Sequence, residues 1–218
     1  MKTRSGLAGA VLLGVFVGAS ANTMTAVDNS VTFDVFLDDS RIGYHRFDFD
    51  DPGGEGAGAV VTSEAKFDVK FLFITAFRYR HTAAERWVGG CLDTLDARTN
   101  ANGKRLEVTG ERTDSGFVVN NGAAAESLPD CVMTFAYWNP GFLEQSRLLN
   151  PQTGEYLDVD IEPLGPDAIR LSGEQVAAER YRVTARNTDL MVWYSPDKEW
   201  LALESVAKGG RIIRYERS

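Results

Sequence analysis

Phe67-Asp-Val-Lys-Phe-Leu-Phe-Ile-Thr-Ala-Phe-Arg-Tyr-Arg-His81 is the stretch whose reading decides the fold. Successive side chains of a strand point to opposite faces, so a period of two sorts this run cleanly. One face carries Phe67, Val69, Phe71, Phe73, Thr75, Phe77, Tyr79 and His81, and the other carries Asp68, Lys70, Leu72, Ile74, Ala76, Arg78 and Arg80. The spacing predicts one long, bent strand, apolar along the whole of one side. Such an aromatic face either fills the interior of a curled sheet or lines a cavity in it.

Working outward, the same alternation recurs with turn residues every 8 to 12 positions, which is the signature of an antiparallel meander. Val31 to Leu37 alternates, Asp38-Asp39-Ser40 turns, and Ile42 to Phe49 returns as the second arm of a hairpin. Asn102-Gly103 predicts another hairpin between Leu92–Thr99 and Arg105–Arg112, and Asp197-Lys198 marks one near the end. The expected fold is all-β, a single meander of roughly eleven strands forming a barrel or half-barrel. One short helix is expected over residues 139–149. There Asn139 is a good N-cap, Pro140 suits the first turn, Phe142, Leu143, Ser146 and Leu149 share a face, and Pro151 stops the run. Phe135, Tyr137 and Trp138 add aromatic surface just before it. The segment reads as a plug for the open end of the sheet, or as a lid over a ligand.

The first 21 residues read as a cleavable export signal: Lys2 and Arg4, an apolar run from Leu7 to Gly18, and the small-x-small site Ala19-Ser20-Ala21. Cleavage after Ala21 would leave residues 22–218 as one domain, periplasmic or secreted. An apolar run of about 12 residues is shorter than the roughly 20 that a spanning helix needs, so an integral membrane protein is not expected. The chain carries a net charge of −8, deepened to −10 by loss of Lys2 and Arg4. That balance argues against nucleic acid as a partner. Cys91 and Cys131 are the only cysteines, and an even, isolated pair in an oxidising compartment reads as one disulfide, with a reactive thiol as the alternative.

Several segments carry a family resemblance: residues 67–73, Tyr79-Arg80-His81, residues 96–105, Met133 to Pro140, and Leu148 to Val159. Together they resemble an exported bacterial family, domain of unknown function 6134. Tyr181-Arg182-Val183, Val192 to Asp197 and Trp200 to Glu204 are similar to the closing strands of domain of unknown function 3108. Through that family the chain is similar in outline to periplasmic lipoprotein-carrier half-barrels, whose curved sheets hold acyl chains. The resemblance implies a barrel-like fold and supplies no catalytic residues.

Neither His45 nor His81 belongs to a zinc motif, no G-x-S-x-G elbow is present, and the glycines of 53–58 lack a phosphate cradle. The acids beside that loop, Asp48 and Asp50, lack the spacing of a calcium loop. No catalytic residue, metal or cofactor is therefore expected. The candidate ligand-binding set is Phe67, Phe71, Phe73, Phe77 and Tyr79 on the aromatic run, with Arg78, Arg80 and His81 at its end. His45, Tyr137 and Trp138 complete it. If Tyr44-His45-Arg46 meets the end of that run at a barrel mouth, the guanidinium groups would suit an amphiphile with an anionic head. The leading expectation is a non-enzymatic binding or carrier protein for a lipid-like or hydrophobic ligand. A filled barrel serving envelope assembly is the second, and acid–base catalysis by His45 or His81 the third.

Overall fold

The structure, a computed structural model, describes residues 29–51, 58–71, 74–171, 173–207 and 209–218. The leader read at residues 1–21 lies outside them. Period-two patterning is realised almost everywhere. The first half is a meander of β1 (Ser30–Leu37), β2 (Ser40–Asp50), β3 (Ala59–Phe71), β4 (Ile74–Val88), β5 (Cys91–Ala101), β6 (Lys104–Thr113), β7 (Gly116–Asn120) and β8 (Ala125–Leu128). The second half comprises β9 (Arg147–Leu149), β10 (Tyr156–Leu171), β11 (Glu174–Ala185), β12 (Thr188–Tyr194), β13 (Trp200–Val206) and β14 (Ile212–Arg217). Antiparallel pairing of β1 with β14 joins the halves into one sheet, with β8 and β9 at its two edges. Those edges do not pair, so the described sheet is a barrel-like form left open. The strands number 14 among the described residues, against the roughly eleven expected.

The expected hairpins are present. Asn102 and Gly103 both adopt positive φ, 52° and 93°, as the tight turn between β5 and β6 demands. The decisive stretch itself departs from expectation. It is two strands, not one: β3 ends at Phe71 and β4 begins at Ile74, and the chain returns with Phe67 opposite Tyr79 and Val69 opposite Phe77. Nothing between residues 71 and 74 is a Gly, Pro, Asn or Asp, so composition gives no turn signal there. Folding back stacks the Phe67 and Tyr79 rings, with centroids 5.1 Å apart and planes 10° from parallel, and sets Asp68 against two arginines on the other face.

The expected helix is also shortened. A 3-10 helix covers only Pro140–Glu144, capped by the Asn139 side chain accepting from the Gly141 N–H at 3.0 Å. Gln145 is extended, and Arg147, Leu148 and Leu149 pair as β9 with Asp158, Leu157 and Tyr156. As β9, Leu148 and Leu149 are both completely buried, and pairing with β10 takes up the backbone groups of the segment.

The connector from Pro129 to Ser146 crosses the concave side of the sheet between the two edges. Backbone bonds fix it at four points: Phe117 N–H to Pro129 O, Leu92 N–H to Val132 O, Leu149 N–H to Met133 O, and Val159 N–H to Ser146 O. Its Val132, Met133, Ala136 and Phe142 are buried and join Phe33, Leu95, Val108, Val183, Val192 and Tyr194 in the main core. Tyr194, fully buried, donates its hydroxyl to Tyr137 O at 2.6 Å, so β12 holds the far end of the connector. A smaller cluster of Trp193, Leu201, Ala202 and Ala178 lies apart from this core. Trp193 there donates its indole N–H to Asp167 on the β10–β11 hairpin.

Cys91 and Cys131 form a disulfide that ties the connector to the start of β5. It closes a loop spanning 40 positions, a constraint worth roughly 3 to 4 kcal/mol on the unfolded chain. Denaturant melts with and without reductant are expected to differ by about that amount, and coincident melts would show that the connector's packing alone holds it.

Candidate functional site

Three neighbouring strands set one row of side chains across the concave face: His45 on β2, Ala65 on β3 and His81 on β4, continued by Phe33 on β1 and Thr99 on β5. At the usual strand spacing the two histidine backbones stand about 10 Å apart. Ala65 between them is small, so the space above it is not filled from below. In the next row Gly43 is required for a different reason. A Cβ there would stand 1.7 Å from the Lys66 carbonyl oxygen, so no larger residue fits without moving β3. Val35, Phe67 and Tyr79 share that row, and the Tyr215 ring reaches Phe67 at 6.1 Å, edge to face.

The connector passes over these rows without closing on them. Between them is a partly open cavity of about 280 Å³. Its floor comes from β2, β3, β4, β13 and β14, its roof from Thr134 to Trp138, and Asn150, Pro151, Gln152 and Thr188 are where it approaches the surface. Its wall carries aromatic rings from Phe47, Tyr79, Phe135, Tyr137, Trp138 and Tyr215. His45, Tyr137 and Tyr215 lie deep within the protein, yet each retains accessible surface, and that surface is cavity wall.

Every ionisable group here whose titration is displaced moves toward its neutral form. Burial lowers His45 to about 3, reinforced by His81, and lowers His81 itself to about 4. Burial raises Glu85 to about 7, opposed by hydrogen bonding from Thr134 and from the Trp87 indole N–H, the latter at 3.2 Å. Burial likewise pushes the phenols of Tyr79, Tyr137 and Tyr215 upward. His81 Nδ1 shares a hydrogen bond of 2.9 Å with the Thr99 hydroxyl. Among the described residues, His45 Nε2 is buried without a partner in hydrogen-bond geometry, while the Thr134 hydroxyl acts on the Glu85 carboxyl. All three residues line the cavity.

The residues singled out in the sequence divide. His45, His81, Tyr79, Tyr137 and Trp138 meet at this cavity. Phe67 supports it from the core, Phe71 is the last residue of β3, and Phe73 lies outside the described residues. Phe77 is 40 % exposed, so the inward face expected of the whole run stops at Tyr79. The guanidinium-topped mouth is also corrected. Arg78 and Arg80 pair with Asp68 across the β3–β4 hairpin at 3.3 and 2.8 Å, and Arg46 pairs with Asp48 along β2 at 2.6 Å, all on the face opposite the cavity. Sequence reasoning passed over Glu85, Thr134 and Tyr215. Glu85 was detectable: it lies four positions after His81, on the same face as Ala83 and Trp87, a carboxylate in an inward-facing register.

A family model described as "Domain of unknown function (DUF6134)" matches residues 33–218, nearly all of the described chain. The chain belongs to that family. The DUF6134 fold is similar to a solved structure titled "Crystal Structure of Beta-barrel-like Protein of Domain of Unknown Function DUF1849 from Brucella abortus". The TM-score is 0.60 at 8 % identity, over 87 % of this chain and 94 % of that one, and at such identity the likeness shows the fold alone. No curated protein matches the chain. No helix among the described residues is long and apolar enough to cross a membrane.

Proposed function

We propose that this DUF6134 protein is a non-enzymatic binding protein that holds a small hydrophobic ligand between its sheet and its connector, outside the cytoplasm. The observation that carries the reading is the cavity of about 280 Å³. It falls near the lower end of ligand pockets, which run from roughly 300 to 1,000 Å³, and is about twice the size of an engineered cavity that takes benzene. A filled barrel serving envelope assembly would leave no such space. The disulfide and the leader read at residues 1–21 support an oxidising, extracytoplasmic setting. Acid–base catalysis by His45 or His81 is the weaker reading, because burial takes both far below neutral pH, where a useful general base should titrate.

Native mass spectrometry of protein isolated from the cells that make it provides the test. A non-covalent adduct of defined small mass is expected, lost in Ser63→Leu, which adds bulk at the cavity floor. Absence of any adduct in repeated gentle preparations, or an adduct unaffected by Ser63→Leu, would remove the support for this reading.

A further inference from the structure

We infer that the cavity selects an uncharged ligand, an apolar body of about two rings bearing one hydroxyl or carbonyl group, and discriminates against the carboxylate analogue. This rests on the binding reading above and names the ligand's class. Among the described residues, no arginine or lysine lines the space, and the guanidinium groups of Arg78 and Arg80 are turned to the opposite face, engaged with Asp68. An anion placed here would lose its hydration and find no cation, and a buried unpaired charge is among the costliest things a protein interior can hold. Glu85, the one lining carboxylate among the described residues, adds repulsion when ionised.

A cation fares little better below pH 7, where Glu85 is held protonated. The same surroundings that keep His45, His81 and Glu85 toward their neutral forms would oppose a ligand ammonium. A purely apolar molecule would fit the rings but leave His45 Nε2 as it stands, buried and without a partner. Unmade hydrogen bonds of buried groups are costly, so a ligand that supplies a neutral donor or acceptor removes an existing penalty as it binds. A neutral imidazole offers one donor and one acceptor, and a hydroxyl is both, so the pairing does not depend on the tautomer of His45.

Calorimetric titration of the intact oxidised protein at pH 6 with four matched probes tests this: naphthalene, 2-naphthol, 2-naphthoate and 2-naphthylmethylamine. 2-Naphthol is expected to bind at least tenfold more tightly than 2-naphthoate or the amine, and severalfold more tightly than naphthalene. His45→Phe should reduce that advantage over naphthalene. The wild-type ranking of the four probes stands as a test by itself if His45→Phe folds poorly. Tightest binding of the naphthoate or the amine would overturn the neutral-ligand inference and leave the binding reading standing. Failure of all four probes would overturn both.

Discussion

Between pH 8 and pH 4, the His45→Phe/His81→Phe double variant is expected to lose about 6 kcal/mol less stability than the wild type. The folded protein holds these histidines neutral down to about 3 and about 4, whereas the unfolded chain protonates them near 6.5. Below 6.5 the unfolded state therefore binds protons that the folded state refuses. The stabilisation these groups confer is present above that pH and drains away as the pH falls toward their folded values. Each contributes roughly 3 kcal/mol of that loss by pH 4. Glu85 acts in the opposite sense. Its folded value of about 7 lies above its ordinary 4.5, so its contribution is present at acid pH and is lost as the pH rises through 7, by about 3 kcal/mol. With two groups against one, wild-type stability should rise from the acid side with a net slope of about one proton and level off above about pH 7. Urea melts at pH 4, 6 and 8 measure this directly, and Glu85→Gln should steepen the acid limb to about two protons. An identical acid slope in the double variant and the wild type would mean that these histidines are hydrated, and the cavity with them.

The second large effect concerns the connector. Phe142→Ala is expected to cost about 3 to 5 kcal/mol, and Phe77→Ala less than about 0.5. Phe142 is fully buried under the 3-10 helix, with its ring 5.2 Å from Tyr137 in an edge-to-face contact and 6.5 Å from Phe135, both of which roof the cavity. Truncation leaves a void beside the roof, so part of the loss should be recovered by saturating benzene, which fills an apolar void without asking for hydrogen bonds. Phe77 is 40 % exposed and gives up little on truncation. Thermal melts of both variants, with and without benzene, decide the matter. Equal destabilisation of the two would contradict the placement of the β3–β4 hairpin.

The two phenylalanines show where reading a sequence succeeds and where it fails. Alternation at Val31–Leu37, the Asn102-Gly103 turn and the break at Asp197-Lys198 were local signals, carried by residues whose backbone preferences act within a few positions, and each placed a hairpin correctly. Residues 67–81 carry alternation through their own turn, so the fold-back between Phe71 and Ile74 had no local cause to betray it. The cavity was half legible. Period two put His45 and His81 on inward faces, but their meeting depends on β3 lying between them, which is a matter of strand order. Glu85 and Tyr215 belong to the same wall from positions 40 and 170 residues distant from His45, a separation no pattern in the chain spans.

What the sequence determined by itself was the class of structure and the locations of most of its turns. Side-chain period and turn chemistry are short-range properties, written into consecutive residues. Only the tertiary structure decided that β1 pairs with β14, that β8 and β9 stay apart, and that the connector roofs a space instead of filling it. Those outcomes come from burying Phe142, Leu148, Leu149 and Tyr194 together, a packing requirement set jointly by residues far apart in the chain and by none of them alone.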